Sequence, residues 1–186
     1  RIQLDIDEFM SYKQIKPGVV HLHNGMIYKH SHSSEKLVTA LDMTKAHPVM
    51  KHITIPEAKL YIDNFYFGYA YQFNNKLRQV LDALFLGIIP NEETFILELI
   101  NIIEELNKLG FCYWDFHKNN IFSNTEGHPF LLDIDDIRTQ ENNVNRYHQI
   151  KYLTEFILNI YLDTDKTLSQ LIFIITTNNG LMRTKE

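Results

Sequence analysis

Asp115, Asn120 and Asp133 stand in the segment DFHKNNIFSNTEGHPFLLD, spaced five and then thirteen positions apart, and they are the residue types that phosphoryl transfer needs. That reaction leaves little covalent work to a protein. A carboxylate orients the attacking hydroxyl and accepts its proton, while hard oxygen ligands hold magnesium beside the phosphates. Asp115 suits the first task; Asn120 and Asp133 suit the second.

The elements that must position these groups can be read on either side of them. The run NEETFILELINIIEELNKLGF (91–111) is dense in apolar residues and predicts a long, largely buried helix with Asn91 as N-cap and Glu92 and Glu93 in its first turn. Gly110 ends it, because glycine enters the left-handed conformation without a Cβ penalty. Trp114 to Asn120 is then a polar loop leaving a rigid helix, followed by the short apolar piece Ile121 and Phe122. Ser123 to His128 reads as a hairpin turn in which Gly127 supplies a positive φ. Pro129 to Ile134 makes a second short strand running into the acids Asp133, Asp135 and Asp136. Helix, loop, hairpin and carboxylate in this order should bring Asp115, Asn120 and Asp133 to one cleft.

The stretch resembles the catalytic loop and metal-binding segment of the protein-kinase-like superfamily, and YWDFHKNNIF is most similar to its small-molecule and atypical branches, such as aminoglycoside and choline kinases or the RIO kinases. The resemblance implies an α+β, two-lobed fold: a small antiparallel sheet lobe over residues 1–73 and a reduced helical lobe over 74–186. It also implies ATP and Mg2+ as cofactors, Asp115 as base, and Asn120 and Asp133 on the metal. In these branches the second aspartate is often not followed by Phe-Gly, so Asp133-Ile134-Asp135 is an acceptable variant. One departure is that Tyr113 stands where the family usually has a packing and hydrogen-bonding histidine; Tyr113 could partly replace it.

The N-terminal half carries matching parts. GVVHLHNGMIYKHSH (18–32) reads as two strands joined by Asn24-Gly25, the strongest short hairpin signal. Lys29 on the second strand takes the place of the lysine that contacts the α and β phosphates, against the plainer reading of an exposed strand lysine. SSEKLVTALDMTKAH (33–47) predicts a short amphipathic helix with a serine N-cap and Leu37, Leu41 and Met43 turned inward. Its glutamate, Glu35, is the candidate partner of Lys29, although an acid in a first turn is also what the helix dipole favours. IDNFYFGYAYQF (62–73) reads as a half-buried strand after a turn at Asp63-Asn64, leading to a hinge where backbone groups of residues 71–74 would meet adenine. NKLRQVLDALFLGIIP (75–90) predicts a further helix ending at Gly87 and Pro90, and YHQIKYLTEFILNIYL another beyond the site.

Two parts are thin. The one candidate for a glycine-rich phosphate loop is Lys16-Pro17-Gly18, with a single glycine. After Asp133, a short polar stretch (Asp135 to Arg146) leaves no room for a long activation segment or an APE-like motif. An ordinary peptide platform is therefore not expected. The resemblance then implies a hydroxyl acceptor on a small molecule or on a dedicated protein partner.

Composition sets outer limits. The 186 residues are 45% hydrophobic, enough for one globular unit or two small lobes. Net charge of −5 without a basic run gives nucleic-acid binding no electrostatic support. A single cysteine, Cys112, fits a reducing, cytoplasmic setting. No long uninterrupted apolar run or signal peptide is visible, and Arg1 in place of methionine is compatible with an upstream segment that was removed or that lies outside this sequence.

Three other readings compete. Asp115 and Asn120 could simply cap a loop, with the acids forming a solvated turn. The thin phosphate loop, Tyr113 and the early position of Glu35 also allow a pseudokinase that binds nucleotide or partner without turnover, although such a chain has no physical need to keep all three site residues. Finally, His21, His23, His30 and His32 form two H-x-H pairs on adjoining strands, and alternate strand residues share a face, so four imidazoles could converge on zinc or another transition metal.

Overall fold

The computed structural model describes residues 1–135, 137–139 and 143–163. The chain is α+β and divides into two units, Arg1–Asn75 and the part from Lys76 onward. The first unit runs β1 (Ile2–Gln3), α1 (Ile6–Ser11), β2 (Lys13–Lys16), β3 (Val20–His23), β4 (Met26–His30), α2 (Glu35–Thr44), β5 (Ala58–Ile62) and β6 (Phe65–Gln72). The second runs β7 (Arg78–Gln79), α3 (Val80–Phe85), α4 (Glu92–Lys108), β8 (Cys112–Tyr113), β9 (Ile121–Ser123), β10 (Pro129–Leu131), β11 (Ile137–Arg138) and α5 (Asn143–Asp163).

In the first unit six strands form one sheet in the order β1-β5-β6-β4-β3-β2, antiparallel throughout except for β1, which runs parallel to β5. The turns are those the sequence predicts: Asn24 and Gly25 both take positive φ, as do Asp63 and Asn64. Along β4 the alternation of a strand sends Met26, Tyr28 and His30 to one face, and Ile27 and Lys29 to the other. Helix α1 covers the first face, where Phe9 and Tyr12 pack with Tyr28, Leu60 and Ala70. Asp5 caps α1 by accepting from the N–H groups of Asp7 and Glu8. Helix α2 lies over the opposite face with Leu37, Val38 and Leu41 buried, and Lys59 Nζ donates to Thr39 Oγ1 at 2.6 Å. Gly68 on β6 has to be glycine, since a Cβ there would fall onto the Lys29 carbonyl of the neighbouring strand.

Two expectations for α2 fail. Met43 is 82% exposed, because α2 ends at Thr44 and its inward stripe is complete at Leu41. Ser34 does not cap the helix with its side chain; its hydroxyl instead bonds the Ser31 carbonyl and the Tyr66 hydroxyl.

In the second unit α4 matches its expectation. Asn91 accepts from the Thr94 N–H at 2.9 Å, and Gly110 takes φ +85° just beyond the helix. Phe95, Ile96, Leu99, Ile103 and Leu106 are buried along it. The helix expected over 75–90 is shorter, spanning Val80–Phe85, because Arg78 and Gln79 pair as a strand with Ser123 and Phe122. Helix α5 begins at Asn143, ten positions after Asp133. Asp136 and the polar tail from Asn178 lie outside the described residues.

Candidate active site

The loop from Trp114 to Asn120 leaves a short strand and enters another, and both are anchored. On the entry side β8 pairs with β11, Tyr113 opposite Ile137 and Cys112 opposite Arg138. On the exit side β9 pairs with β10, Ile121 opposite Leu131, and the ladder extends by one more bond from the Leu132 N–H to the Asn120 carbonyl at 2.9 Å. Asp133 is the next residue. The chain between the two anchors is closed by a turn in which the Ile137 N–H donates to the Ile134 carbonyl. Asp115 lies two residues past one anchor and Asp133 lies between the two, so backbone pairing sets the place of each along the chain.

Within the loop the backbone folds on itself. The Phe116 N–H donates to the Trp114 carbonyl, that of His117 to Asp115, and those of Asn120 and Ile121 to His117. These bonds draw Asn120 back to Asp115, and its side-chain N–H donates to Asp115 Oδ2. The other carboxylate oxygen, Oδ1, lies 3.1 Å from His117 Nε2. The Tyr113 hydroxyl, fully buried and edge-on to Phe116, donates to the Asp115 carbonyl at 3.2 Å. Tyr113 thus packs on Phe116 and holds the loop backbone at Asp115. Asp133 Oδ1 accepts from the Asp135 N–H at 3.1 Å, which orients the carboxylate within its turn.

The hairpin that carries Asp133 is itself held. Asn124 accepts from the N–H groups of Glu126 and His128, and His128 Nδ1 lies 2.8 Å from Glu98 of α4. Gly127, at φ +86°, lies so close to the loop before α4 that a Cβ would come to 2.7 Å from the Ile88 carbonyl. This is both of the demands that select glycine, a left-handed φ and a close approach.

No family model and no curated protein sequence matches this chain.

Of the residues singled out from sequence, Asp115 and Asn120 are in direct contact, and Asp133 follows the residue bonded to the Asn120 carbonyl. Lys29 and Glu35 belong to the first unit. Lys29 is 8% exposed, in register with Tyr69 on the face beneath α2, so the plainer reading of an exposed lysine does not hold. Glu35 accepts from the Tyr61 hydroxyl at 3.0 Å and lies 4.0 Å from Lys59 Nζ. Lys59 stands two strands from Lys29 on the same face, because Tyr69 pairs with both.

The four-histidine metal site is not formed. The two-residue turn pairs His23 with Met26 and His21 with Tyr28, so the two H-x-H pairs are out of register across the hairpin. His21 is fully buried against Phe9, and His23 stacks on Tyr12. Among the described residues no group of three or more His, Cys, Asp or Glu side chains is gathered as for a metal ion.

Four contributors escaped the sequence reading. His117 is visible in DFHKNN once Asp115 is suspected, as the next polar residue, two positions on. Asn107 and Gln149 are not. The Asn107 amide donates to Gln149 Oε1, and Gln149 Nε2 donates to the Tyr113 carbonyl, a buried polar chain joining α4, α5 and β8 just before the loop. Arg138 lies over the Trp114 ring at 5.0 Å, a cation–π contact at the loop entrance.

Proposed function

We propose that this chain is a reduced, atypical kinase-like phosphotransferase that moves the γ-phosphate of ATP to a hydroxyl. The observation that carries this reading is the Asp115–Asn120 side-chain bond, tied through the Asn120 carbonyl and the Leu132 N–H to the segment holding Asp133. Further support comes from element order: hairpin, helix, two strands, then α3, α4, polar loop and a second hairpin, the order the kinase-like resemblance implies.

The donor set fits magnesium. That ion takes oxygen ligands, keeps several waters and needs only one or two protein groups beside the phosphates. Asn120 donates through its nitrogen, which leaves its amide oxygen as the ligand, and Asp133 supplies a carboxylate. When bound, the ion would neutralise charge developing on the phosphates. Asp115 receives the proton. The acceptor's oxygen bonds to the γ-phosphorus, the bond from that phosphorus to the bridging oxygen breaks, ADP leaves, and the acceptor's proton passes to the carboxylate. Asn120 and His117, one at each carboxylate oxygen, hold Asp115 in orientation. Lys29 is assigned to the α and β phosphates. Glu35 is engaged with Tyr61 and Lys59, so its assignment as the partner of Lys29 draws no support from that geometry.

The acceptor is best read as a small molecule or a dedicated partner, because α5 begins ten positions after Asp133 and leaves little chain for a peptide platform. A buried Cys112 fits a reducing, cytoplasmic setting. Among the described residues no helix is long and apolar enough to cross a membrane.

A second reading, nucleotide or partner binding without turnover, has its own supports. The Val19 N–H is spent on closing the turn to the Lys16 carbonyl, and the Phe73 N–H is spent on the Gly25 carbonyl, so two backbone donors are withdrawn from phosphate and adenine binding. Thermal stabilisation by ATP with magnesium, followed by an assay for ADP formation, separates the two. Stabilisation with turnover supports the phosphotransferase, stabilisation alone the binding module, and no stabilisation overturns both.

A further inference from the structure

His30 and His32 point the same ring atom at each other. Their Nε2 atoms are 2.6 Å apart, with the rings perpendicular and the centroids 4.3 Å apart. The tautomers follow from what the other nitrogens touch. His32 Nδ1 lies 3.1 Å from the Tyr66 carbonyl, which can only accept, so Nδ1 carries the hydrogen. The His30 ring gives an N–H to the Gly18 backbone, and with its Nε2 turned to His32 that donor is Nδ1. Both neutral rings then turn a lone pair into the space between them, where a bound cation can bridge them.

We propose that His30 and His32 form a two-imidazole site for a divalent late transition-metal ion of tetragonal preference, Cu2+ before Ni2+. Anchoring of each remote ring nitrogen by a carbonyl is what metal-ligating histidines use to fix their orientation. Phe67 completes the support, stacked on His30 at 4.2 Å and edge-on to His32. The bite selects the ion. With metal–nitrogen bonds of about 2 Å, neighbouring ligands at a right angle are about 2.8 Å apart, whereas tetrahedral zinc needs about 3.3 Å. The observed 2.6 Å is nearer the tetragonal value. His32 lies beyond the end of β4 and is exposed, so the ion can enter from solvent and complete its shell with water. The site is separate from the proposed phosphotransfer: His30 and Lys29 are adjacent on β4 and face opposite sides of the sheet.

The test is titration of the full chain with CuCl2, and in parallel with ZnCl2, in a non-coordinating buffer near neutral pH, followed by calorimetry and by electron paramagnetic resonance of the copper. One Cu2+ per chain is expected, held more tightly than Zn2+, with superhyperfine splitting from two nitrogens. His30→Gln and His32→Gln should each weaken it by roughly tenfold or more, the scale already seen for outer-shell partners of metals. His23→Gln, at the far end of the hairpin, should bind as wild type. If His30→Gln proves unstable, His32→Gln decides alone, its ring being exposed. Copper binding that both variants leave unchanged, a one-nitrogen spectrum, or no copper uptake while ring-proton resonances show a proton shared by the two imidazoles would overturn the site.

Discussion

Residues 112–138 and residues 13–32 each bring several chemically capable side chains close together in sequence, yet one region gathers Asp115 and Asn120 on a single closed loop and the other scatters most of its histidines. In the first, Asp115 and Asn120 sit on a loop and Asp133 in a turn bounded by the β8–β11 and β9–β10 pairings, and Asn120 bonds the Asp115 carboxylate. In the second, three histidines sit on strands and His32 lies just past the end of β4, and register decides who meets whom: His21 and His23 go to Phe9 and Tyr12, and only the 30–32 pair converges. Spacing along a loop closed at both ends is therefore a better guide to a site than spacing along strands whose register is set by one turn.

The largest expected effect strikes the gathered region. Asp115→Asn should reduce ADP formation by about 10²- to 10⁴-fold, the usual worth of a general base, while the thermal shift given by ATP remains. Equal turnover in this variant and wild type would reduce Asp115 to a loop cap and dissolve the contrast. Next comes Gly127→Val, which forces a side chain into φ +86° and against the Ile88 carbonyl; a loss of about 2–4 kcal/mol is expected in denaturant unfolding. Gln149→Leu comes third. It strips the Tyr113 carbonyl and the Asn107 amide of their buried partner, at about 1–3 kcal/mol. If Gln149→Leu is neutral, the loop entrance does not depend on α5.

The scattered region gives smaller, pH-coded effects. His30 has a lowered pKa, first from burial and then from His32. As pH falls below its ordinary value near 6.5, the unfolded chain takes a proton that the metal-free native state resists, so stability declines. His30→Gln should flatten that part of the stability curve between pH 7 and 5. Tyr12, buried and donating to Glu8, has its pKa pushed up to about 12. The unfolded phenol ionises near 10, so stability should fall above that pH, and Tyr12→Phe should remove this slope. Slopes that persist in both variants would place these titrations elsewhere.

What could be read from the chain alone was local chemistry. The Asn91 cap, the Gly110 stop, the Asn24-Gly25 and Asp63-Asn64 turns and the left-handed Gly127 each follow from a residue's own conformational preference. What could not be read was decided by distant partners. Arg78 and Gln79 leave the expected helix because β9 offers them hydrogen bonds, and Glu35 finds Tyr61 and Lys59 across β5. Helix α1 has only six residues, too short for a periodic signal, and it is held by Asp5 at its start and by burial of Phe9. The candidate site was legible as Asp115, Asn120 and Asp133, but the polar chain from Asn107 through Gln149 to Tyr113 spans residues far apart in sequence and left no pattern to find.

The central claim is that Asp115, Asn120 and Asp133 form one magnesium-dependent nucleotide site, and calorimetric titration of ATP with and without magnesium tests it most directly. Wild type should bind ATP with an affinity that rises with magnesium, Asp133→Asn should lose that rise, and Asp115→Asn should keep it. ATP binding indifferent to magnesium in wild type, or a magnesium response unchanged by Asp133→Asn, would contradict the account.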